Sequence, residues 1–276
     1  MTEFDRKYSD CLRQILEHGI EEVNERTGHK VKAIPGMHFQ IENGFPLLTL
    51  RKIAPRVFAA EQVWFMMGSR KPVEFIDQYT KIWNDFTNIN GVVNSAYGFR
   101  WRYYFSRDQI GSLVKLLEKE PSSRQGVVIT WDAADDGLNP DLKKKNVPCP
   151  ISFTVNIIGG KLHFHTIFRS NDMVVGCPFD VAGFALLQRF LAARLGVGVG
   201  VYSHSISNAH IYDVHYEAAA ELIQRGGQDR EIELSAQPEW FSRAEAGDET
   251  LVDEIVAILE PQCTPAPPIK GLPVVL

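Results

Sequence analysis

Apolar residues recur at helical spacing at Tyr8, Leu12, Ile15 and Leu16, and again at Val57, Val63, Trp64 and Met67 after Pro55. Both segments are expected to form amphipathic helices. Residues 108–119 repeat the pattern and stop at Pro121, after which the β-branched run 126–131 reads as a strand. The clearest local signal is 151–158, then Gly159-Gly160, then 161–168: two strand-like runs around a two-residue turn, hence a hairpin. Residues 181–195 are apolar nearly all round and end at Gly196, which predicts a helix buried in the middle of the molecule with Asp180 at its N-cap. A further strand and a helix over 213–225 complete an α+β pattern, one sheet with several covering helices. No linker or repeat interrupts it, so residues 1–276 read as one domain.

Composition narrows the function classes. The 276 residues are 45% hydrophobic and 23% charged, which excludes a disordered chain. With 29 Lys and Arg against 34 Asp and Glu, the net charge of −5 gives no global basic field for a long nucleic acid, so any phosphate must be met locally. No apolar run approaches the roughly 20 residues that cross a bilayer, so no membrane association is expected. The start, Met-Thr-Glu-Phe-Asp-Arg, lacks an apolar signal stretch, so a cytoplasmic location with reduced thiols is expected. Cys11, Cys149, Cys177 and Cys263 lie far apart with no paired short spacing, which argues against a zinc site and a disulfide framework; no metal is expected.

Three places carry possible chemistry. Cys149 stands between two prolines directly before the hairpin, where it is either a nucleophile or a small buried hydrophobe. Arg169-Ser170-Asn171-Asp172 follows the second hairpin strand. It offers a guanidinium fork and a hydroxyl to a phosphate and a carboxylate to a heterocyclic N–H, or is simply a solvated strand end. Asp180 is explained by capping alone unless its surroundings require more.

Taken in order, Pro148-Cys149, Arg169-Ser170-x-Asp172, Gly176-x-Pro178-Phe179 and Asn208-Ala209-His210-Ile211-Tyr212 resemble the motifs of the thymidylate synthases and the related pyrimidine nucleotide hydroxymethylases. Glu25-Arg26-Thr27-Gly28 resembles that family's phosphate loop, and 44–49 its following strand. Glu61 with Trp64-Phe65-x-x-Gly68, Ile82-Trp83, Tyr97-Gly98-x-x-Trp101-Arg102, Ser123-Arg124 and the tail Pro268-Ile269-Lys270 extend the likeness over nearly the whole chain. The resemblance implies a large mixed sheet covered by helices and a sheet-to-sheet homodimer. It also implies a reaction between a pyrimidine nucleoside monophosphate and 5,10-methylenetetrahydrofolate as co-substrate, with no nucleic acid partner. Cys149 would add to the base at C6, its thiol pKa lowered by the arginines that hold the phosphate. Those are Arg26, Arg169 and, from a second subunit, Arg124, with Ser170 adding a hydroxyl. Glu61 would order water and relay protons, Tyr97 would assist loss of the C5 proton, and His210 with Tyr212 would bind the sugar hydroxyl. Trp83 and Asp172 would contact the pterin. Trp64, Phe65, Trp101 and Phe179 read as core packing, and His204 and His215 as ordinary surface or satisfied polar residues.

Three positions depart from the synthase pattern. Asp180 stands where synthases read uracil with Asn, Pro150 replaces the His after the nucleophile, and Gln125 replaces the second Arg of Ser-Arg-Arg. Cytosine presents a bare N3 and an exocyclic amino donor, and a carboxyl group that shares one proton with N3 and accepts from the amino group suits both. The substitution resembles that of the deoxycytidylate hydroxymethylases. The expected activity is therefore dCMP 5-hydroxymethylation. The alternatives are dCMP 5-methylation, in which the folate also gives a hydride, and a non-enzymatic nucleotide-binding homologue.

Overall fold

A computed structural model of the chain describes residues 1–138 and 147–275. Its centre is one mixed sheet, built from β1 (Ile20–Val23), β2 (Lys30–Ile41), β3 (Val127–Ile129), β4 (Pro150–Ile158), β5 (Lys161–Phe168), β6 (Asn171–Asp172) and β7 (Gly198–Tyr212). The strand order is β1-β2-β7-β5-β4-β3, with the two-residue β6 paired beside β7. The β4–β5 hairpin forms as expected: Ile158 faces Lys161, and Gly159 and Gly160 take φ of +59° and +71°, which side chains bearing a Cβ resist. β5 and β6 each run parallel to β7, and the other pairs are antiparallel. A parallel pair needs a crossover, and here the chain leaves β5 through β6 and returns to β7 by a long helix.

The helices are α1 (Glu3–His18), α2 (Pro55–Met67), α3 (Tyr97–Phe99), α4 (Gln109–Lys119), α5 (Cys177–Leu195), α6 (Tyr216–Gln224), α7 (Trp240–Glu245) and α8 (Glu249–Leu259). α4 follows its sequence signal closely, with Asp108 as N-cap accepting from the Gly111 amide at 3.0 Å. α5 crosses the sheet against β5 and β7, and α2 lies across α5 with α7 and α8 against it. Because neighbours cover α2 on most sides, it is apolar nearly all round rather than amphipathic, a correction to the sequence reading. α5 is likewise buried along its length, and it starts at Cys177, four residues before the expected start. Pro178 is tolerated there because amides of the first turn have no helical partner. Asp180 is therefore inside the helix and not its N-cap: that position is Gly176, which makes no side-chain capping bond. Residues 44–49 form a bend at Gly44, φ +71°, and then no regular structure, so the strand expected there is absent. None of the helices among the described residues is long and apolar enough to cross a membrane.

Among the described residues the opposite face of the sheet carries no helix. It presents Gln40, His38, His165, Ser203 and Ser205 beside apolar Val127, Ile129 and Ile158, the last three at 37–64% exposure. Gly98 fixes the approach of α3 to α2: a Cβ there would stand 2.0 Å from the Phe65 carbonyl oxygen and 2.4 Å from its Cα. Gly98→Ala should cost about 2–4 kcal/mol, as backbone must separate from backbone to admit a methyl group. Urea unfolding checks this, and a loss below about 0.5 kcal/mol, the range of an ordinary surface change, would contradict it.

Candidate active site

The hairpin delivers the thiol. Cys149 sits one residue before β4, where Arg169, one residue after β5, holds it by backbone and side chain together. The Arg169 amide donates to the Cys149 carbonyl oxygen at 2.9 Å, while its Nε and Nη2 donate to the carbonyls of Pro148 (2.9 Å) and Val147 (3.0 Å). Arg169 thus anchors the segment before Cys149 in addition to bringing positive charge. The Tyr97 hydroxyl, from α3, also bonds to the Cys149 backbone.

Beside Tyr97, on the side away from the Cys149 backbone it bonds to, lies a cavity of about 370 Å³, within the range of small-ligand sites. Its walls come from α2 (Val57, Glu61, Phe65), the segment before α3 (Ile82, Trp83, Phe86), α3 (Tyr97) and α5 (Phe179, Asp180, Gly183), closed by Val274 of the tail. Trp83 Nε1 donates to Glu61 Oε1 at 2.7 Å, so the indole fixes the carboxyl group while its ring lines the cavity. Such apolar, aromatic walls with two carboxyl groups suit a flat heterocycle that carries polar edges.

Desolvation governs the titration of the site. Burial among apolar walls pushes the Glu61 carboxyl up to about 7, against a smaller downward effect of the Trp83 hydrogen bond. Burial likewise raises Asp180 to about 7, and the negative charges of Glu61 and Asp172 add to the rise. Tyr97 is pushed well above the ordinary phenol range by burial. The expectation of a lowered Cys149 pKa does not hold for the free chain: Arg169 and Arg26 do pull it down, but burial outweighs them and Asp180 opposes them, so the net shift is upward. The other cysteines are free thiols, and burial raises each of them as well, Cys11 to about 12 and Cys263 to about 11.

The residues expected to hold the phosphate and sugar come from separate elements. Arg26 lies in the turn between β1 and β2, which the Asn24 side chain stabilises by accepting from the Arg26 and Thr27 amides. Its guanidinium reaches the Tyr212 hydroxyl and acts on Cys149 and His210. His210 packs edge-on against Tyr212 with ring centres 4.9 Å apart, and its Nδ1 stands 3.4 Å from Ser170 Oγ. The run 169–172 is half-buried or buried, so the solvated strand end is ruled out. Asp172 uses Oδ1 to accept from the Val174 and Val175 amides and is not among the cavity-lining residues. Arg124 is exposed ahead of β3 and is not among the principal charges acting on Cys149, His210 or Tyr212.

Sequence reasoning missed several contributors. Phe65 and Phe179 pack as expected but also line the cavity. His204 and His215 are both fully buried, so neither is a surface residue. His215 donates from Nε2 to the Pro273 carbonyl oxygen at 2.9 Å and so ties down the tail that carries Val274. His204 bonds to Asn171, whose side chain donates to Asp180. An Asn next to Asp172 and a lone His gave no pattern that would have joined them.

The raised Glu61 has a consequence for stability. A carboxyl group whose folded pKa exceeds its unfolded value of about 4.5 holds its proton longer in the folded state, so folding loses stability as pH rises from about 4.5 to 7. Glu61→Gln should therefore leave stability at pH 4.5 nearly unchanged and raise it at pH 8 by on the order of 2–3 kcal/mol. Thermal unfolding at the two pH values checks this; an equal effect at both would contradict the buried, raised carboxyl.

The candidate site combines two cavity-wall carboxyl groups that titrate near neutrality, a desolvated thiol next to the Tyr97 wall, and a cluster of arginine, hydroxyl and imidazole groups whose arginines act on that thiol. The family model described as thymidylate synthase matches residues 6–253. On that match, which spans most of the chain and all twelve of the residues assigned to the site from sequence, the protein belongs to the thymidylate synthase family, enzymes that transfer a one-carbon unit from a folate to C5 of a pyrimidine nucleotide.

Proposed function

We propose that the chain is a deoxycytidylate 5-hydroxymethylase that uses 5,10-methylenetetrahydrofolate. The observation that carries this reading is Asp180: a carboxyl group on the cavity wall, inside α5 and free of any capping duty, with its pKa raised to about 7. A carboxyl group that titrates near neutrality has a proton to share with the bare N3 of cytosine and an oxygen to accept from the exocyclic amino group. Uracil reverses both partners, with an N3–H and an O4 acceptor, and ionised Asp180 would face the O4 lone pairs in a desolvated site.

The chain's residues then divide the work. Cys149 gives its proton up and adds to C6; its raised pKa in the free chain makes the bound nucleotide, with positive charge gathered at the phosphate by Arg26 and Arg169, the state in which the thiolate forms. Proton sharing between Asp180 and N3 stabilises the charge that addition creates on the ring. The folate supplies the one-carbon unit that C5 takes up. Tyr97, beside Cys149, assists removal of the C5 proton, and Glu61, with its carboxyl near 7 and held by Trp83, orders water and passes protons. Tetrahydrofolate departs as the C5 proton is lost, water adds to the exocyclic methylene that this leaves, and Cys149 is expelled. His210 and Tyr212 hold the sugar hydroxyl, Ser170 the phosphate, and Asp172 with Trp83 the pterin. A second copy of the chain supplies Arg124, docking through the helix-free sheet face with its exposed Val127, Ile129 and Ile158.

One observation favours the methyl-transfer alternative. Val274 of the tail and Trp83 line the cavity where the methylene would form, and apolar cover there excludes water.

Asp180→Asn tests the base reading. An amide can donate to O4 and accept from N3–H, so the ratio of kcat/KM for dCMP over dUMP should fall by on the order of tenfold or more. Steady-state kinetics on both nucleotides checks this; an unchanged ratio would remove Asp180 from base recognition.

A further inference from the structure

Asp180 is the end of a hydrogen-bond chain that runs from the cavity into the core. Asn171 Nδ2 donates to Asp180 Oδ2 at 2.8 Å, and Asn171 Oδ1 faces His204 Nε2 at 3.1 Å. On its other side His204 Nδ1 stands 2.7 Å from Thr166 Oγ1 and 3.0 Å from the Tyr202 hydroxyl, and Thr166 Oγ1 is 3.2 Å from the Ser203 carbonyl oxygen. Asn171, His204, Thr166 and Tyr202 are all at most 3% exposed, so the chain is shielded from bulk solvent. It crosses β6, β7 and β5 beneath α5, and nothing assigned to catalysis above uses it.

An amide can present either end to a partner, and here the partner decides. Burial holds His204 neutral, its pKa down to about 3, so the ring carries a single N–H. Asn171 Oδ1 can only accept, which puts that proton on Nε2 and leaves Nδ1 bare. Thr166 and Tyr202 each have a hydroxyl proton to satisfy it. Every donor then meets an acceptor, and the NH2 end of Asn171 is directed at Asp180. The reverse polarity is chemically distinct: it needs a proton on Asp180 Oδ2, a bare Nε2 and a protonated Nδ1.

We propose that Asn171, its amide oriented by His204, is a positioning residue for base selection: it gives Asp180 Oδ2 a fixed donor, so Oδ2 is the bare oxygen of the carboxyl group and the acid proton sits on Oδ1. The proposal rests on the reading of Asp180 as the group that meets the base. The other ionisable groups that face Asp180 are Glu61 from α2, Asp172 from β6, Cys149 ahead of β4, Tyr97 from α3, Tyr202 from β7 and Cys177 on its own helix. Glu61 and Asp172 push the carboxyl upward, and the Asn171 hydrogen bond opposes them. Without that donor Asp180 holds its proton outright; with it, the proton can be shared with N3.

The test combines NMR and binding. In the unmodified protein, 15N shifts of His204 should show a neutral ring with the proton on Nε2 from pH 5 to 8. The Asp180 midpoint, read from its 13C carboxyl resonance, should rise by about a unit or more in Asn171→Ala and in His204→Leu. It should return toward the wild-type value in His204→Gln, whose amide can replace Nε2–H. Because neutral dCMP binds the protonated carboxyl group, the alkaline limb of dCMP binding, followed by calorimetry, should move up in parallel. A proton on Nδ1 of His204 overturns the proposal without using any variant. An unmoved midpoint in Asn171→Ala and His204→Leu also overturns it, and leaves base reading by Asp180 intact. A midpoint that moves while the dCMP limb stays fixed overturns the base reading and the proposal together.

Discussion

Cys149, Glu61 and Asp180 would each titrate elsewhere in water, and burial pushes all three upward. Removing solvent from ionisable groups costs free energy unless charges or hydrogen bonds replace the lost water. The site replaces it unevenly. Glu61 keeps one hydrogen bond from Trp83, Asp180 one from Asn171, and Cys149 the distant help of Arg169 and Arg26. Glu61 and Asp180 are left near neutrality, where a modest change in surroundings moves a proton, and Cys149 is held as the thiol until its surroundings change. A nucleotide whose phosphate draws the arginines together, or whose base offers a proton acceptor, is such a change.

The scaffold makes this imbalance possible by separating what holds from what reacts. Arg169 anchors the backbone at Val147 and Pro148, so Cys149 is positioned by hydrogen bonds that do not depend on its own ionisation. α5 carries Asp180 on a helix buried along most of its length, and α2 carries Glu61 on another. Rigid elements thus present the polar atoms. The tail adds Val274 to the cavity wall, and the turn between β1 and β2 carries Arg26.

Local signals read correctly where one interaction dominates. The Gly159-Gly160 turn, the Asp108 cap with Pro121 beyond it, and the motif that places Cys149 ahead of its hairpin were all legible in the sequence. β2 was not: its alternation of buried and exposed positions is regular only near its end, and Pro35 with Gly36 at φ +69° breaks the period before that. The start of α5 was misread because the helix was begun at the apolar run from Val181, with the residues before it read as a lead-in, and that single error made Asp180 look like a cap. The chain from Asn171 to His204 was illegible for a different reason. Its members come from β5, β6 and β7, and only the parallel register of Asn171 with Ala209 and of Thr166 with His204 brings them together. The resemblance to a family located the reacting groups by motif but carried no information on what desolvates them, so the upward shift of Cys149 was missed.

The most direct test of the account is the product formed from dCMP and 5,10-methylenetetrahydrofolate, measured by mass spectrometry while dihydrofolate absorbance is followed in the same reaction. The account predicts a cytidylate that has gained a hydroxymethyl group, no rise in dihydrofolate, and neither signal with Cys149→Ala. A faster reaction with dUMP, accompanied by dihydrofolate in step with product, would contradict it.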